Sequence, residues 1–162
     1  MASRPIDVYL NDHLAGATMG SDLADQIRTR HEGSPLGDVM SSIAPQIDED
    51  RRALEDLLER MGTTRNQAKQ AVTWCTEKVT RIRFSAIAAR DRDQAALLAL
   101  ETLSLGVLGK AKLWEALIAV ADEYPPLAAA GLDQLLARAQ AQHAALEQAR
   151  RDAATRSLGT PG

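Results

Sequence analysis

The sequence predicts an all-α fold, a four-helix bundle of two antiparallel hairpins joined by a long crossover, with one short extra helix. Three observations carry this. Apolar residues make up 45% of the 162 and aromatic residues only 3%, with Ala and Leu abundant. Ala and Leu lose little side-chain entropy in a helix, and the β-branched and aromatic runs that strands favour are missing. Four long segments repeat their apolar residues at the helical period. Short turn-rich links join these segments in pairs, and about thirty residues separate the pairs.

The first helix opens at Ser3, a good N-cap, with Pro5 in its first turn. Ile6, Tyr9, Leu10, His13, Ala17, Gly20, Ala24 and Ile27 keep the period to about Arg30. The stretch HEGSP at 31–35 ends it, and Ser34-Pro35 opens the second helix. That helix runs to about Met61 on Leu36, Val39/Met40, Ile43, Ile47, Asp50, Leu54, Leu57/Leu58 and Met61. Pro45 should kink it or loosen one turn, and Gly62 closes it as the residue after the C-cap.

A shorter third helix is expected over about Arg65 to Arg81. Thr64-Arg65-Asn66-Gln67 has capping-box spacing, and Ala68, Ala71/Val72, Cys75 and Val79 form a stripe. A looser connection over 82–92 then carries the chain along the bundle. The fourth helix, about Asp93 to Asp122, is apolar nearly all round in its first half, as in a helix surrounded by others. Tyr124-Pro125-Pro126 stops it. The fifth runs from about Leu132 to Ser157 on Leu132, Leu135/Leu136, Ala139, His143, Leu146, Arg150 and Ala153. The whole reads as one domain over 1–158 with a fraying tail at 159–162.

Bulk properties exclude several function classes. A net charge of −3 and a pI of about 5.6 argue against general nucleic-acid affinity. Cys75 is the only cysteine, so no intramolecular disulfide is possible and a cytoplasmic, bacterial setting is expected. Met1 to Asp12 has no apolar core of signal-peptide length. The longest nearly apolar stretch, 95–109, is too short to span a bilayer. No phosphate-cradling or dinucleotide-binding glycine motif occurs. Lys78, Arg81, Arg83, Arg90 and Arg92 read as a solvated connector, Cys75 as a core thiol, and Trp74 and Trp114 as packing residues that could also anchor an interface.

Four polar residues fall on apolar stripes: His13, Asp50, Glu101 and Arg150, one on each long helix. Helix bundles build internal sites from such inward-facing side chains. Glu101 is the sharpest signal, because it is the only charge in 95–109. A buried carboxylate must be paired or protonated. Reflecting each hairpin through its turn, near Gly33 and near Leu127, brings His13 within a turn of Asp50 and Glu101 within a turn of Arg150. Two lateral pairs, His13–Asp50 and Glu101–Arg150, are therefore expected in a buried polar cluster.

Two long hairpins with a long mid-chain crossover have the ferritin-like connectivity. Di-iron bundles of that kind take a Glu from each of two helices and a Glu-x-x-His from each of the other two. Three residues before His13, His31 and His143 stand Leu10, Arg28 and Gln140, so the motif is absent. The last helix carries Glu147-Gln148-Ala149-Arg150, and Arg cannot ligate because it stays protonated. Ion pairs are the expected occupants where metals would sit.

The segments Tyr9 to Ala17 (YLNDHLAGA), Glu49 to Leu54 (EDRRAL), Glu77-Lys78 and Glu101 to Trp114 (ETLSLGVLGKAKLW) resemble uncharacterised bacterial members of the ferritin-like superfamily. Membership would imply oxygen activation, iron storage or peroxide defence. The superfamily's ligand motifs are not present, so none of these transfers to particular residues.

Three functions follow as expectations. The first is a non-enzymatic bundle without catalytic residues or cofactor, acting as a homodimer or on a protein partner, with no nucleic acid and no membrane involved. The alternative is an oxidoreductase or oxidative-stress protein holding iron or manganese on His13, Asp50, Glu101, His143 and Glu147. The third is a small-molecule binder using the core between the helices, for which a cavity open to solvent is the signature.

Overall fold

The computed structural model describes residues 4–64 and 91–159. Its elements in chain order are α1 (Pro5–Arg30), α2 (Pro35–Arg60), α3 (Arg92–Ala119), the one-turn helix α4 (Pro125–Ala128) and α5 (Leu132–Leu158). A 26-residue helix such as α1 is about 39 Å long at about 1.5 Å per residue. The short helix expected over 65–81 lies outside the described residues, as do Trp74, Cys75 and the basic residues from Lys78 to Arg90. A different short helix, α4, opens on Pro125 and Pro126, with Tyr124 as its N-cap.

Caps set the ends. Ser3 lies outside the described residues, and the N-cap of α1 is Arg4, whose backbone N–H donates to Asp7 Oδ2 at 3.2 Å. Ser34 Oγ accepts from the Gly37 N–H at 3.2 Å, with Pro35 opening α2. Gly62, at φ 65°, lets α2 close in a Schellman turn: Thr63 N–H bonds Leu58 O and Gly62 N–H bonds Glu59 O, both at 3.0 Å. Pro45 does not interrupt α2. Ser41 and Pro45 are both exposed, so the carbonyl that Pro45 leaves without a donor is open to water.

Contacts at the two ends fix the direction of each helix. At one end Arg4 Nη2 donates to Met61 O at 2.8 Å, and Thr63 Oγ1 donates to Asp7 Oδ1 at 2.7 Å. At the other end Arg92 Nη2 donates to Arg30 O at 2.7 Å, and Arg156 Nε to Asp93 Oδ1 at 3.2 Å. The order is therefore up, down, down, up. The chain leaves α2 at one end of the bundle and enters α3 at the other, as the expected crossover requires. α1 packs on α2 and α3 on α5, and the hairpins meet along α1–α3 and α2–α5. α2 and α3 thus lie diagonally.

The buried apolar residues fall into two clusters. One gathers Ala24, Met40, Ile47, Leu100, Val107 and Leu146 with their neighbours. The other gathers Leu10, Leu54, Leu58, Ala111, Trp114 and Ala139 with theirs. The gap falls between Ile47 and Leu54, Val107 and Ala111, and Ala139 and Leu146. Asp50, Lys110 and Gln142 occupy that layer. No described helix is long and apolar enough to cross a membrane.

Candidate functional site at the middle of the bundle

Asp50 is the centre of the polar layer. It follows Ile47 by three residues and precedes Leu54 by four, so the stripe of α2 carries it into the core; its side chain is fully buried. Lys110 on α3 reaches across the diagonal and places Nζ 2.5 Å from Asp50 Oδ2 and 2.5 Å from Gln142 Oε1. Arg138 on α5 donates Nε to Asp50 Oδ1 at 2.7 Å, and its outer nitrogen meets Glu49 at 3.1 Å. Gln142 donates Nε2 to Asp50 Oδ2 at 3.1 Å and to Gln46 Oε1 at 3.3 Å. Both carboxylate oxygens are thus occupied by donors. Burial pushes the Lys110 pKa down, while Asp50 opposes that shift and Arg138 adds to it.

A cavity of about 110 Å³, partly open to solvent, adjoins this network. α1 contributes His13, Gly16, Ala17 and Gly20; Ile47, Asp50 and Leu54 come from α2. The α3 wall runs from Leu103 through Gly106, Val107, Gly109, Lys110 and Leu113 to Trp114. Four of these residues are glycines inside helices, and a Cβ at any of them would meet nothing within 4 Å. Each such glycine costs a helix about 0.5–1 kcal/mol relative to Ala. Space is therefore left where alanine would fit and would hold the helices better. Trp114, only 1% exposed, has an indole N–H with no hydrogen-bond partner. His13 stacks edge-on against Tyr9 with ring centroids 4.6 Å apart. Its pKa is lowered by burial, with Asp12 opposing.

The four residues expected in one cluster are divided between two places. Asp50 and His13 line the same cavity, but no hydrogen bond or ion pair joins them; Asp50 is held by Lys110, Arg138 and Gln142 instead. Glu101 and Arg150 do face each other, at 3.9 Å, in a pair that is 45% and 29% exposed. That corrects the expectation of a buried Glu101. The outer side of α3 is also open, with Leu105 69% exposed, so an apolar sequence neighbourhood does not enclose Glu101. Arg150 makes its close contact with Glu147 at 2.9 Å, and Ser104 Oγ donates to Glu147 at 2.6 Å. The Arg150 and Ser104 hydrogen bonds hold the Glu147 pKa down at about 2.

The stripe of α5 also differs from the sequence reading. Its buried residues are Leu132, Ala139, Gln142, Leu146, Ala149 and Ala153, so Gln142 and Ala149 stand where His143 and Arg150 were expected. Helical period permits a step of either three or four at each turn. A neutral amide and a methyl cost less to bury than an imidazole and a guanidinium. Lys110, Arg138 and Gln142 were missed by sequence reasoning. Lys110 could have been found, since it ends the apolar stretch and follows Leu103 and Val107 at helical spacing.

The donor set does not fit a metal centre. Among the described residues no three His, Cys, Asp or Glu side chains are grouped to hold an ion. Asp50 already faces two cations, and a metal ion there would be a third. His143 and Glu147 stand with Arg150 rather than with Asp50.

No protein-family model matches the chain, and neither does any curated protein or solved structure.

Proposed function

We propose that this chain is a small-ligand binding protein, a bundle of ferritin-like connectivity whose middle layer serves as a binding cavity rather than a metal centre. One observation carries the reading. Four helix-interior glycines leave the cavity at the α1–α3 seam unfilled, although alanine would fit at each. Together they forgo about 2–4 kcal/mol of helix stability. Mostly apolar walls with a few polar groups are the usual make-up of a ligand pocket. An engineered dry cavity of about 150 Å³ holds benzene; this one, about 110 Å³ and partly open to solvent, encloses most of a short-chain ligand and leaves the rest at its mouth. The Lys110–Asp50–Arg138 network fixes the polar end of the cavity without itself reacting.

The test is an NMR titration of the full chain with three five-carbon probes: pentanoate, 1-pentanol and pentylamine. Resonances of Gly16, Gly106 and Trp114 should shift with at least one probe, and Gly106→Leu, which fills the space, should abolish the shifts. Absence of shifts with all three at millimolar concentration overturns the reading.

A second reading, self-association or a protein partner, is favoured by Leu105 and Leu108, exposed on the outer side of α3. Sedimentation of the chain beside Leu105→Glu tests it, and identical monomeric profiles would dismiss a homodimer through this face.

A further inference from the structure

Building on the cavity as a ligand site, we infer that its ligand is a short-chain carboxylate. Its charged end meets Lys110 and Trp114, and its chain lies among Leu54, Leu103, Val107 and Leu113. Two donors at the polar end lack an acceptor. Lys110 has three N–H groups; Asp50 and Gln142 take two, and the third has no acceptor among the described residues. The Trp114 indole N–H is buried and unpaired. His13 also lines the cavity, and its imidazole, without a hydrogen-bond partner among the described residues, has one ring nitrogen that donates and one that accepts when neutral.

His13 aside, the acceptors at this end are already taken. Asp50, the only carboxylate lining the cavity among the described residues, accepts from Lys110, Arg138 and Gln142. Its single negative charge faces two cations. Glu49 offsets Arg138 only on the outer side, where its own side chain is largely exposed. The layer therefore has positive charge to spare on the Lys110 side, next to apolar walls. An anion with two acceptor oxygens and a short hydrocarbon chain satisfies both the spare donors and the spare charge. An amine would bring further donors and a further cation to a site already supplied with both.

Calorimetric titration of the full chain with pentanoate, 1-pentanol and pentylamine, beside Trp114→Phe, tests this. Pentanoate should bind at least tenfold more tightly than 1-pentanol, and pentylamine should not bind. Trp114→Phe removes the N–H together with one ring of the indole, and the added space is open to both ligands alike, so pentanoate should weaken about tenfold while 1-pentanol changes less. Equal affinity for pentanol and pentanoate overturns the ligand class while leaving the cavity as a binding site. So does unchanged pentanoate affinity in Trp114→Phe. Absence of binding by all three removes both readings. Should Trp114→Phe not fold, Lys110→Gln replaces it: loss of the preference for pentanoate over pentanol is then expected, and a retained preference overturns the inference.

Discussion

Asp50 and Lys110 meet at 2.5 Å although their helices, α2 and α3, lie diagonally across the bundle. Only a long side chain spans that diagonal, and the contact ties the two hairpins together in the layer between the hydrophobic clusters. Removing the carboxylate leaves the Lys110 and Arg138 charges facing each other in the core. Asp50→Asn should therefore destabilise the fold by about 3–5 kcal/mol. The double change Asp50→Leu with Lys110→Met should cost much less, because Arg138 can turn outward to Glu49. Urea unfolding of the three proteins measures both values.

Glu101 and Arg150 supply the contrast. Their separation of 3.9 Å and partial exposure place them among surface pairs, worth about 0–1 kcal/mol. Glu101→Gln should shift the urea midpoint barely at all, and a loss comparable to that of Asp50→Asn would contradict the assignment.

Acid stability should depend on Asp7 and Glu147. The Arg4 hydrogen bond, opposed by burial and aided by Thr63, lowers the Asp7 pKa from 3.8 to about 2. Glu147 falls from 4.5 to about 2, chiefly through Arg150. Carboxylates with depressed folded pKa values stabilise the fold above their unfolded values, and that contribution is lost as pH falls through the folded ones. Stability should decline from about pH 4.5 towards pH 2. Asp7→Asn and Glu147→Gln together should flatten that part of the curve, which thermal unfolding at each pH records.

Two glycine substitutions should act in opposite directions. A Cβ at Gly37 would lie 2.1 Å from the His31 carbonyl oxygen, inside the tight α1–α2 turn. Gly37→Ala should cost about 1–3 kcal/mol, as overpacking does. A Cβ at Gly106 would enter open space, so Gly106→Ala should raise stability by about 0.5–1 kcal/mol. Denaturant midpoints distinguish the two.

The helices and their pairing follow from patterns that a single chain displays: apolar period, Ser34-Pro35, Gly62, and the difference between short links and a long one. Asp50 was recognisable because a charge on a regular stripe has nowhere to go but inward. Its partners were harder to find. Lys110 lies one residue beyond the stretch 95–109, in a helix whose apolar composition blurs which side faces the core. Gln142 was displaced by His143, since a step of four reads as well as a step of three. The exposure of Glu101 depends on which side of α3 the other helices leave uncovered, and sequence neighbours do not report that. The cavity is a property of three helices at once, and its trace in the sequence is four glycines at helical positions, of which the apolar period picks out only Gly20.

The most direct test of the central claim joins stability and binding in one protein. Gly16→Ala with Gly106→Ala adds two methyl groups to the cavity and two better helix residues. The account predicts a fold more stable by about 1–2 kcal/mol and pentanoate binding weakened or lost. A more stable protein that binds pentanoate as well as the original would contradict it, because the glycines would then be keeping no space that the ligand uses.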